Sequence, residues 1–265
     1  MSATTIREVT ENRVGTMLRD WRQRRRLSQL DLALDAGVSS RHLSFVETGR
    51  SRPSPEMVLT LAQRLEVPLR ERNQLLLAAG YAPRYRERSF DGPELAPVRE
   101  AVSRLLAGHE PYPALAVDTA WNLVASNGAL DLLLEDVADE LLLPPVNVMR
   151  LALHPDGVAP RILNLGEWRG HLLARLRREA ALRRDPRLDE LLAEVEAYPG
   201  EVDPDRSEMD IMVTLRLASS AGELTLFSTV TTFGTAVDIT VAELSVEAFF
   251  PADEATAEAL RAAAG

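Results

Sequence analysis

The chain has 265 residues, of which 46% are hydrophobic, and this length favours two packed domains over one large domain. It contains no Cys, which excludes disulfides, thiolate metal sites and thiol nucleophiles, and its four His are scattered, so we expect no metal site. It has no apolar run long enough to span a membrane and no signal-peptide pattern at its start, so we expect a cytoplasmic protein with no membrane partner.

The charge of the chain is unevenly distributed. The formal net charge is −10, yet residues 1–90 hold 16 Arg and 10 acidic residues, a net charge of +6. The remaining residues hold 14 Arg and 30 acidic residues, a net charge of −16. A basic segment joined to an acidic one is typical of nucleic-acid-binding proteins. We therefore expect the basic segment to contact nucleic acid.

Five short helices are predicted between residues 14 and 80. Ser28 and Ser54 are suitable N-caps, and Pro55 follows the second of them in the first helical turn. Gly37 suits the left-handed position after a helix, and Gly80 ends the last helix. The predicted spans are 14–26, 29–37, 39–49, a fourth helix that begins at 55, and 69–79.

A region that combines helices and strands follows. Residues 81–95 are rich in Pro, Arg and Gly and are predicted to form a linker. Beyond it we expect a helix at 97–107, a hairpin of strands 114–118 and 121–126, and a helix from about 128. Two or three helices are expected between 141 and 198. Strands at 209–217, 224–233 and 244–250 and a helix at 253–263 complete the prediction.

One predicted strand shows the alternation most clearly. In 209–217 the apolar residues Met209, Ile211, Val213, Leu215 and Leu217 share one face, which is typical of a half-buried strand. The predicted fold is multidomain, with an all-α five-helix domain at 1–80, a linker at 81–95, and an α+β domain at 96–265 whose antiparallel sheet is covered by helices.

Residues 27–50 have the spacing of a helix-turn-helix. Ala33 is a small residue where two helices would cross closely, and Gly37, four positions later, can adopt the positive φ that the turn requires. The apolar residues spaced to hold the two helices together are Leu32, Val38, Leu43 and Val46. A plain helical bundle with a charged face is the alternative, but the full pattern over 24 residues favours DNA binding.

The helix predicted at 39–49 is the second helix of this helix-turn-helix. Its other face carries three polar residues and one aromatic residue, namely Ser40, Arg41, Ser44 and Phe45. Serine hydroxyls and an arginine can read base edges in the major groove, and a phenylalanine ring can contact a thymine methyl group. Arg50 and Arg52 lie just after the helix, where side chains suit phosphate contacts.

Residues 13–80 resemble the XRE family of phage-repressor-type helix-turn-helix regulators. The motifs that carry the resemblance are Leu27-Ser28-Gln29, Leu32-Ala33, Ala36-Gly37-Val38-Ser39, Glu47-x-Gly49-Arg50 and Arg52-Pro53-Ser54. The resemblance implies that Gln29 contacts a phosphate or supports a base contact, and that Arg22 pairs with Glu47. Phe45 departs from the polar residue often found at its position. The complete set of predicted DNA-binding residues is Gln29, Ser39, Ser40, Arg41, His42, Ser44, Phe45, Arg50 and Arg52.

The order of strands and helices in the second half resembles a PAS-like sensor fold, and the whole chain resembles the MmyB-like regulators. Motifs that carry this resemblance include Trp121-Asn122, the run from Asn147 to Pro155, Trp168, and the run from Glu247 to Asp253. The resemblance implies a domain that binds fatty-acyl or similar lipophilic molecules, with a fatty acid as effector.

The predicted ligand-binding residues are Trp121, Asn147, Arg150, Trp168 and His171, with Asn147 and Arg150 chosen for the polar head of the ligand. Four of these residues also have a structural interpretation. The two tryptophans suit a core, Arg150 suits an ion pair with an acidic residue, and His171, which shares a helix face with Arg175, suits a solvated surface.

The sequence bears on three functional classes. The chain contains no P-loop, GxSxG, HExxH or dinucleotide-binding pattern, so we expect no catalytic residues, no enzyme activity and no cofactor. The favoured prediction is a ligand-responsive transcription regulator that binds double-stranded operator DNA and a lipophilic small molecule. It is expected to act as a homodimer, because repressor-type heads bind paired half-sites. The alternative is a regulator whose second domain serves only dimerisation or contact with another protein.

Overall fold

The computed structural model describes residues 3–183, 185–201 and 212–264, with side chains from residue 13 onward. These residues form two compact units. The first contains the chain up to Arg88 together with Thr235–Ala242, and the second contains Ser89–Gly234 and the chain from Glu243 onward. The sequence-based division placed residues 235–242 in the second domain, whereas in the structure they pack within the first unit.

The first unit contains the five predicted helices, α1 (Ala3–Arg24), α2 (Gln29–Asp35), α3 (Ser40–Glu47), α4 (Pro55–Arg64) and α5 (Leu69–Ala78). Helix α1 begins at residue 3 rather than at the predicted residue 14. Ser28 caps α2 by accepting a hydrogen bond from the backbone N–H of Asp31, whose side chain accepts one from the N–H of Ser28. Ser39 and Ser54 cap α3 and α4, and Gly37 adopts the expected positive φ of 68° between α2 and α3.

A close helix crossing supports α3 from behind. Leu18, Leu32 and Leu43 are fully buried in the core that α1, α2 and α3 share. Helix α1 crosses α3 at Gly15, where an added Cβ would lie 2.3 Å from the carbonyl oxygen of Val46. Any side chain at residue 15 would therefore push α1 away from the helix that is predicted to read DNA.

The second unit contains, in chain order, α6 (Ala96–Ala107), β1 (Ala114–Val117), β2 (Leu123–Ser126), α7 (Val148–Leu153), α8 (Leu165–Arg183), α9 (Pro186–Ala197), β3 (Leu215–Ser219), β4 (Gly222–Thr232), β5 (Ser245–Pro251) and α11 (Glu254–Ala263). The short helix α10 (Ile239–Ala242) lies between β4 and β5 in the sequence but belongs to the first unit. The strands form one antiparallel sheet in the order β2-β1-β5-β4-β3. The predicted α+β fold with an antiparallel sheet is therefore confirmed.

Helices cover both faces of the sheet. Leu115, Leu217 and Phe249 lie in the main core together with residues of α7, α8 and α9. On the opposite face Ala116 and Val246 pack with residues of α6. Within the described ranges, no helix has the length and apolar character needed to cross a membrane.

The strand predicted at 209–217 is shorter in the structure. Strand β3 begins at Leu215, residues 212–214 are not in a strand, and Met209 and Ile211 lie outside the described residues. Leu215 and Leu217 are buried and Arg216 is exposed, so the predicted alternation holds where β3 pairs with β4. Alternation specifies which residues share a face, but it does not specify how far a strand continues to pair with its neighbour.

Candidate DNA-binding surface and ligand cavity

Helix α3 presents the residues that the sequence predicts to read DNA. Ser39 accepts a hydrogen bond from the backbone N–H of His42 at 3.1 Å, which fixes the start of the helix, and Leu43 and Val46 are buried in the core. The predicted base-reading side chains are accessible, since Ser40 and Arg41 are exposed and His42, Ser44 and Phe45 are half-buried. A helix with such a face is suited to the major groove of B-DNA.

Two arginines flank Phe45 on this surface. Arg41 Cζ lies 5.4 Å and Arg50 Cζ lies 6.0 Å from the centroid of the Phe45 ring, within the range of cation–π contacts. The backbone N–H of Arg50 also donates to the Phe45 carbonyl oxygen at 2.8 Å, which fixes the position of the residue after the helix. The surface therefore combines two positive charges with an aromatic ring, which suits phosphates and thymine methyl groups.

A buried ion pair connects α1 to α3, as the resemblance to the XRE family implies. Arg22 donates from Nε and Nη2 to Glu47 Oε1 and Oε2, at 2.7 and 2.9 Å. Arg22 Nη1 donates to the Leu27 carbonyl oxygen at 2.8 Å, and Gln29 donates to Glu47 Oε2 at 2.7 Å. Burial raises the pKa of Glu47, but the hydrogen bonds from Arg22 and Gln29 and the charges of Arg22 and Arg19 outweigh burial and hold this pKa below its ordinary value.

Two of the predicted DNA-binding side chains have partners within the unit. Gln29 is half-buried and its amide donates to Glu47. Arg52 donates from Nε and Nη2 to the Ala79 carbonyl oxygen, at 3.1 and 2.8 Å, and its Cζ lies 4.7 Å from the centroid of the Tyr81 ring. Both side chains therefore stabilise the unit, and their contacts with DNA stay predictions.

The second unit contains an apolar cavity between the sheet and helices α7 and α8. The space open to the centre of a water-sized sphere is about 80 Å³, against roughly 10–15 Å³ for one enclosed water. The wall is largely aliphatic and aromatic, with Trp121, Trp168 and Phe249 among its residues, and Glu247 is its one ionisable side chain within the described part of the chain. A cavity of this size and composition suits an apolar ligand.

A polar group of side chains lies beside this cavity. His171 stacks on Trp168 with ring centroids 5.5 Å apart, and Arg175 Cζ lies 4.4 Å from the centroid of the Trp121 ring. Arg175 Nη1 also donates to both carboxylate oxygens of Glu247, at 3.2 and 3.1 Å. Burial, together with the charge of Arg175, lowers the pKa of His171 below its ordinary value, so the imidazole is neutral at pH 7.

The turn between β1 and β2 places Trp121 in the cavity wall. Asp118 Oδ1 accepts hydrogen bonds from the backbone N–H groups of Ala120 and Asn122, at 2.8 and 2.9 Å. Trp121 adopts a φ of 64°, which is uncommon for a bulky residue and is held by this turn. Its indole Nε1 is buried and has no hydrogen-bond partner among the described residues.

The structure does not bring Asn147 and Arg150 into the cavity wall. Asn147 caps α7 and donates from Nδ2 to the Ala120 carbonyl oxygen at 2.8 Å. Arg150 donates from Nε and Nη2 to Glu194 at 2.8 and 2.7 Å, and Tyr198 donates its hydroxyl to the same carboxylate at 2.5 Å. Arg150 therefore forms the ion pair that was its alternative interpretation, whereas the role of Asn147 as a helix cap was not anticipated, and nothing in the geometry supports a role of either residue at the head of a ligand.

The sequence reasoning missed Glu247 as a residue of the cavity wall and Arg175 as its partner. His171 and Arg175 are four residues apart on α8, but their spacing alone does not distinguish a buried face from a solvated one. Glu247 was a clearer signal, because it lies in the apolar strand β5 between Val246 and Phe249, and a charge in such a strand indicates a buried ion pair.

Two family models match the chain. The model of the MmyB-like transcription regulator ligand binding domain matches residues 98–263, and a helix-turn-helix model matches residues 18–72. Two crystal structures of the clp gene regulator ClgR from Corynebacterium glutamicum are similar to part of this chain. The first match covers 27% of this chain and 88% of the ClgR chain, and the second covers 38% and 95%. Their sequence identities are 25% and 22%, and each has a TM-score of 0.24, which is too low to bear on function. No curated protein matches the chain.

Proposed function

The chain belongs to the MmyB-like transcription regulators, with a helix-turn-helix for DNA and a ligand-binding domain, and we propose that its effector is a lipophilic acyl compound such as a fatty acid. The observation that carries the proposal is the apolar cavity of the second unit, whose wall includes Trp121 and Trp168. Burial of each methylene group contributes roughly 0.8 kcal/mol, so a short aliphatic segment would bind there without many polar contacts.

The size of the cavity limits the proposal. About 80 Å³ is open to the centre of a water-sized sphere, which is a small space for a long chain. Short and medium chains are therefore expected to bind first, and a longer chain requires side chains of the wall to move. Affinity should rise with chain length and then level off.

For DNA, we propose that α3 reads an operator through Ser40, Arg41, Ser44 and Phe45, and that Arg50, just after α3, contacts the DNA backbone. The accessibility of these side chains supports the proposal. We further propose a homodimer that binds half-sites about 34 Å apart, acts in the cytoplasm and has no catalytic activity. Sedimentation of the protein with operator DNA tests the dimer, and a monomer on a single half-site would contradict it.

The experiment that tests ligand control combines a ligand series with DNA binding. Saturated fatty acids and primary alcohols of increasing chain length are titrated into the full chain, and melting temperature and operator affinity are measured. Ala152 lines the cavity and Ala174 does not, although both are half-buried helix residues. Ala152→Leu is expected to abolish the ligand effect, and Ala174→Leu to preserve it. If melting and DNA affinity do not change across the series, the second unit serves dimerisation or protein contact instead.

A further inference from the structure

The charges around the cavity distinguish one class of acyl ligand from another. Glu247 on β5 is buried and is the one ionisable side chain of the wall within the described residues. Its partner Arg175 also has the Glu179 carboxylate 3.5 Å from its Nε, so two carboxylates share one guanidinium. The neighbouring His171 is neutral at pH 7, because burial lowers its pKa, and it adds no positive charge.

This arrangement disfavours an anion in the cavity. A carboxylate head placed near Glu247 would face a buried negative charge whose guanidinium partner is already shared. Repulsion between the two carboxylates, which Arg175 offsets only in part, is expected to weaken binding of an anionic head relative to a neutral head. A neutral head is not subject to this repulsion.

The wall also contains a buried donor. The indole N–H of Trp121 has no partner among the described residues, and buried donors in proteins are nearly always paired. This N–H is not open to the cavity, so a ligand oxygen would accept its hydrogen bond only after the Trp121 ring turns. We propose, on the basis of the proposed function, that the cavity selects compounds with an aliphatic chain and an uncharged head, such as an ester, amide or alcohol, over free fatty acids, and that Glu247 determines this selectivity.

The test compares three ligands of equal chain length. Dodecanoic acid, dodecanol and methyl dodecanoate are titrated into the full chain at pH 7.5, below their aggregation concentrations. The alcohol and the ester are expected to bind at least tenfold more tightly than the acid. Glu247→Gln is expected to reduce this preference. The control is Glu194→Gln, which changes an arginine-paired glutamate outside the wall and should preserve the preference.

The outcomes separate this inference from the proposed function. If the acid binds as tightly as the alcohol and the ester, the inference is overturned while the proposed function stands. If none of the three binds, both are overturned. The comparison of the three ligands in the unmodified chain tests the preference for an uncharged head even if Glu247→Gln does not fold. A second readout in that chain is pH, since acid binding should strengthen as the carboxyl group becomes protonated.

Between β4 and β5 the chain leaves the second unit, enters the first unit and returns. Strand β4 ends at Thr232, the chain then contributes Thr235–Ala242 to the first unit, and β5 begins at Ser245. Strand β5 carries Glu247 and Phe249, which both belong to the cavity wall. Two residues therefore separate the end of the first-unit segment from the strand that contacts the cavity.

The segment Thr235–Ala242 is firmly attached within the first unit. Asp238 is 5% exposed and accepts a hydrogen bond from Arg88 Nη1 at 2.6 Å. The N–H of Ile239 donates to the Arg86 carbonyl oxygen at 2.8 Å, and the Thr240 hydroxyl donates to the Arg88 carbonyl oxygen at 2.5 Å. Ile239 itself is buried, and α10 contacts α5.

The residues that receive the segment are attached to α5 in turn. Asn73 on α5 donates from Nδ2 to the Tyr85 carbonyl oxygen at 2.7 Å, and its Oδ1 accepts from the N–H groups of Arg84 and Tyr85 at 2.9 and 3.0 Å. We infer that Thr235–Ala242 transmits ligand occupancy from β5 to the DNA-binding unit, with the Asp238–Arg88 pair as its anchor.

The test measures three quantities separately: the affinity for dodecanol, the affinity for operator DNA without ligand, and the change in operator affinity that dodecanol causes. In the full chain, Asp238→Ala is expected to reduce the effect of dodecanol on operator affinity at least fivefold. Affinity for dodecanol and ligand-free affinity for DNA should be preserved. Glu223→Ala is the control, because it removes an exposed partner of Arg216 at the start of β4. Thr240→Val, which removes only the bond to Arg88, serves if Asp238→Ala does not fold. A full ligand response in both variants overturns the inference.

Discussion

Replacement of Glu47 by Ala tests the ion pair that supports the recognition helix. Glu47 is 5% exposed and Arg22 is 9% exposed, so the variant leaves a buried guanidinium without its carboxylate. Loss of one partner of a buried pair costs about 3–5 kcal/mol of unfolding free energy. We expect the lower end, about 3 kcal/mol, because Arg22 Nη1 still donates to the Leu27 carbonyl oxygen.

Amide hydrogen exchange measures this loss in the full chain. A change of about 3 kcal/mol corresponds to roughly 150-fold faster exchange in peptides from α1 and α3, with peptides from the sheet of the second unit as an internal reference. The control is Asp35→Ala, which breaks an exposed pair with Arg64 at 3.8 Å and should cost less than about 1 kcal/mol. Acceleration below about fivefold in Glu47→Ala would refute the reasoning, since it would place the pair in the range of exposed pairs.

Three other outcomes are expected. Arg41→Ala should lose about 1–3 kcal/mol of operator affinity at one base pair, and Arg50→Ala should weaken binding to all sequences alike; a uniform loss from Arg41→Ala, measured across single-base operator variants, would assign Arg41 to phosphate. Asn73→Ala should cost about 1–3 kcal/mol, because it removes three hydrogen bonds that a buried side chain makes to partly buried backbone groups of Arg84 and Tyr85, and unchanged exchange at residues 84–88 would contradict this. The depressed pKa of Glu47 contributes stability that is complete above its ordinary pKa of about 4.3 and is lost as pH falls through the folded value. In Glu47→Gln, the unfolding free energy measured with urea between about pH 3 and 6 should no longer contain this pH-dependent contribution. A pH profile identical to that of the unmodified chain would contradict the assignment.

The first unit was largely predictable because its signals are local. A serine N-cap or a glycine with positive φ acts within a few residues, so Ser28, Ser54 and Gly37 marked helix boundaries that the structure confirms. Gly15 was not predictable in the same way. Its importance depends on how closely α1 crosses α3, and that distance is set by packing of residues far apart in the sequence. The same limit applies to Thr235–Ala242, whose place in the first unit depends on contacts with Arg86 and Arg88.

The second unit shows where side-chain type alone is insufficient. Alternating apolar residues predicted the sheet. Trp121 and Trp168 line the cavity and His171 stacks on Trp168 beside it, and their contact with a ligand stays a prediction. Asn147 and Arg150 were chosen because their side chains can hold a polar head, but their donors are used by a backbone carbonyl and by Glu194. Whether a polar side chain is free for a ligand depends on its neighbours in space, which its position in the sequence does not reveal.

Buried carboxylates occur in both units. Three carboxylates are buried within the described residues, Glu47, Asp238 and Glu247, and each accepts a hydrogen bond from an arginine, namely Arg22, Arg88 and Arg175. Stability alone does not explain such pairs, because apolar residues of similar volume often stabilise a protein equally well. What a pair provides is a fixed direction and register between the elements it joins. The three pairs lie beneath α3, in the segment between β4 and β5, and at the cavity wall, which are the three places where DNA reading, coupling and ligand selection are proposed. Replacing a pair with apolar residues should therefore preserve folding while changing the function at that place.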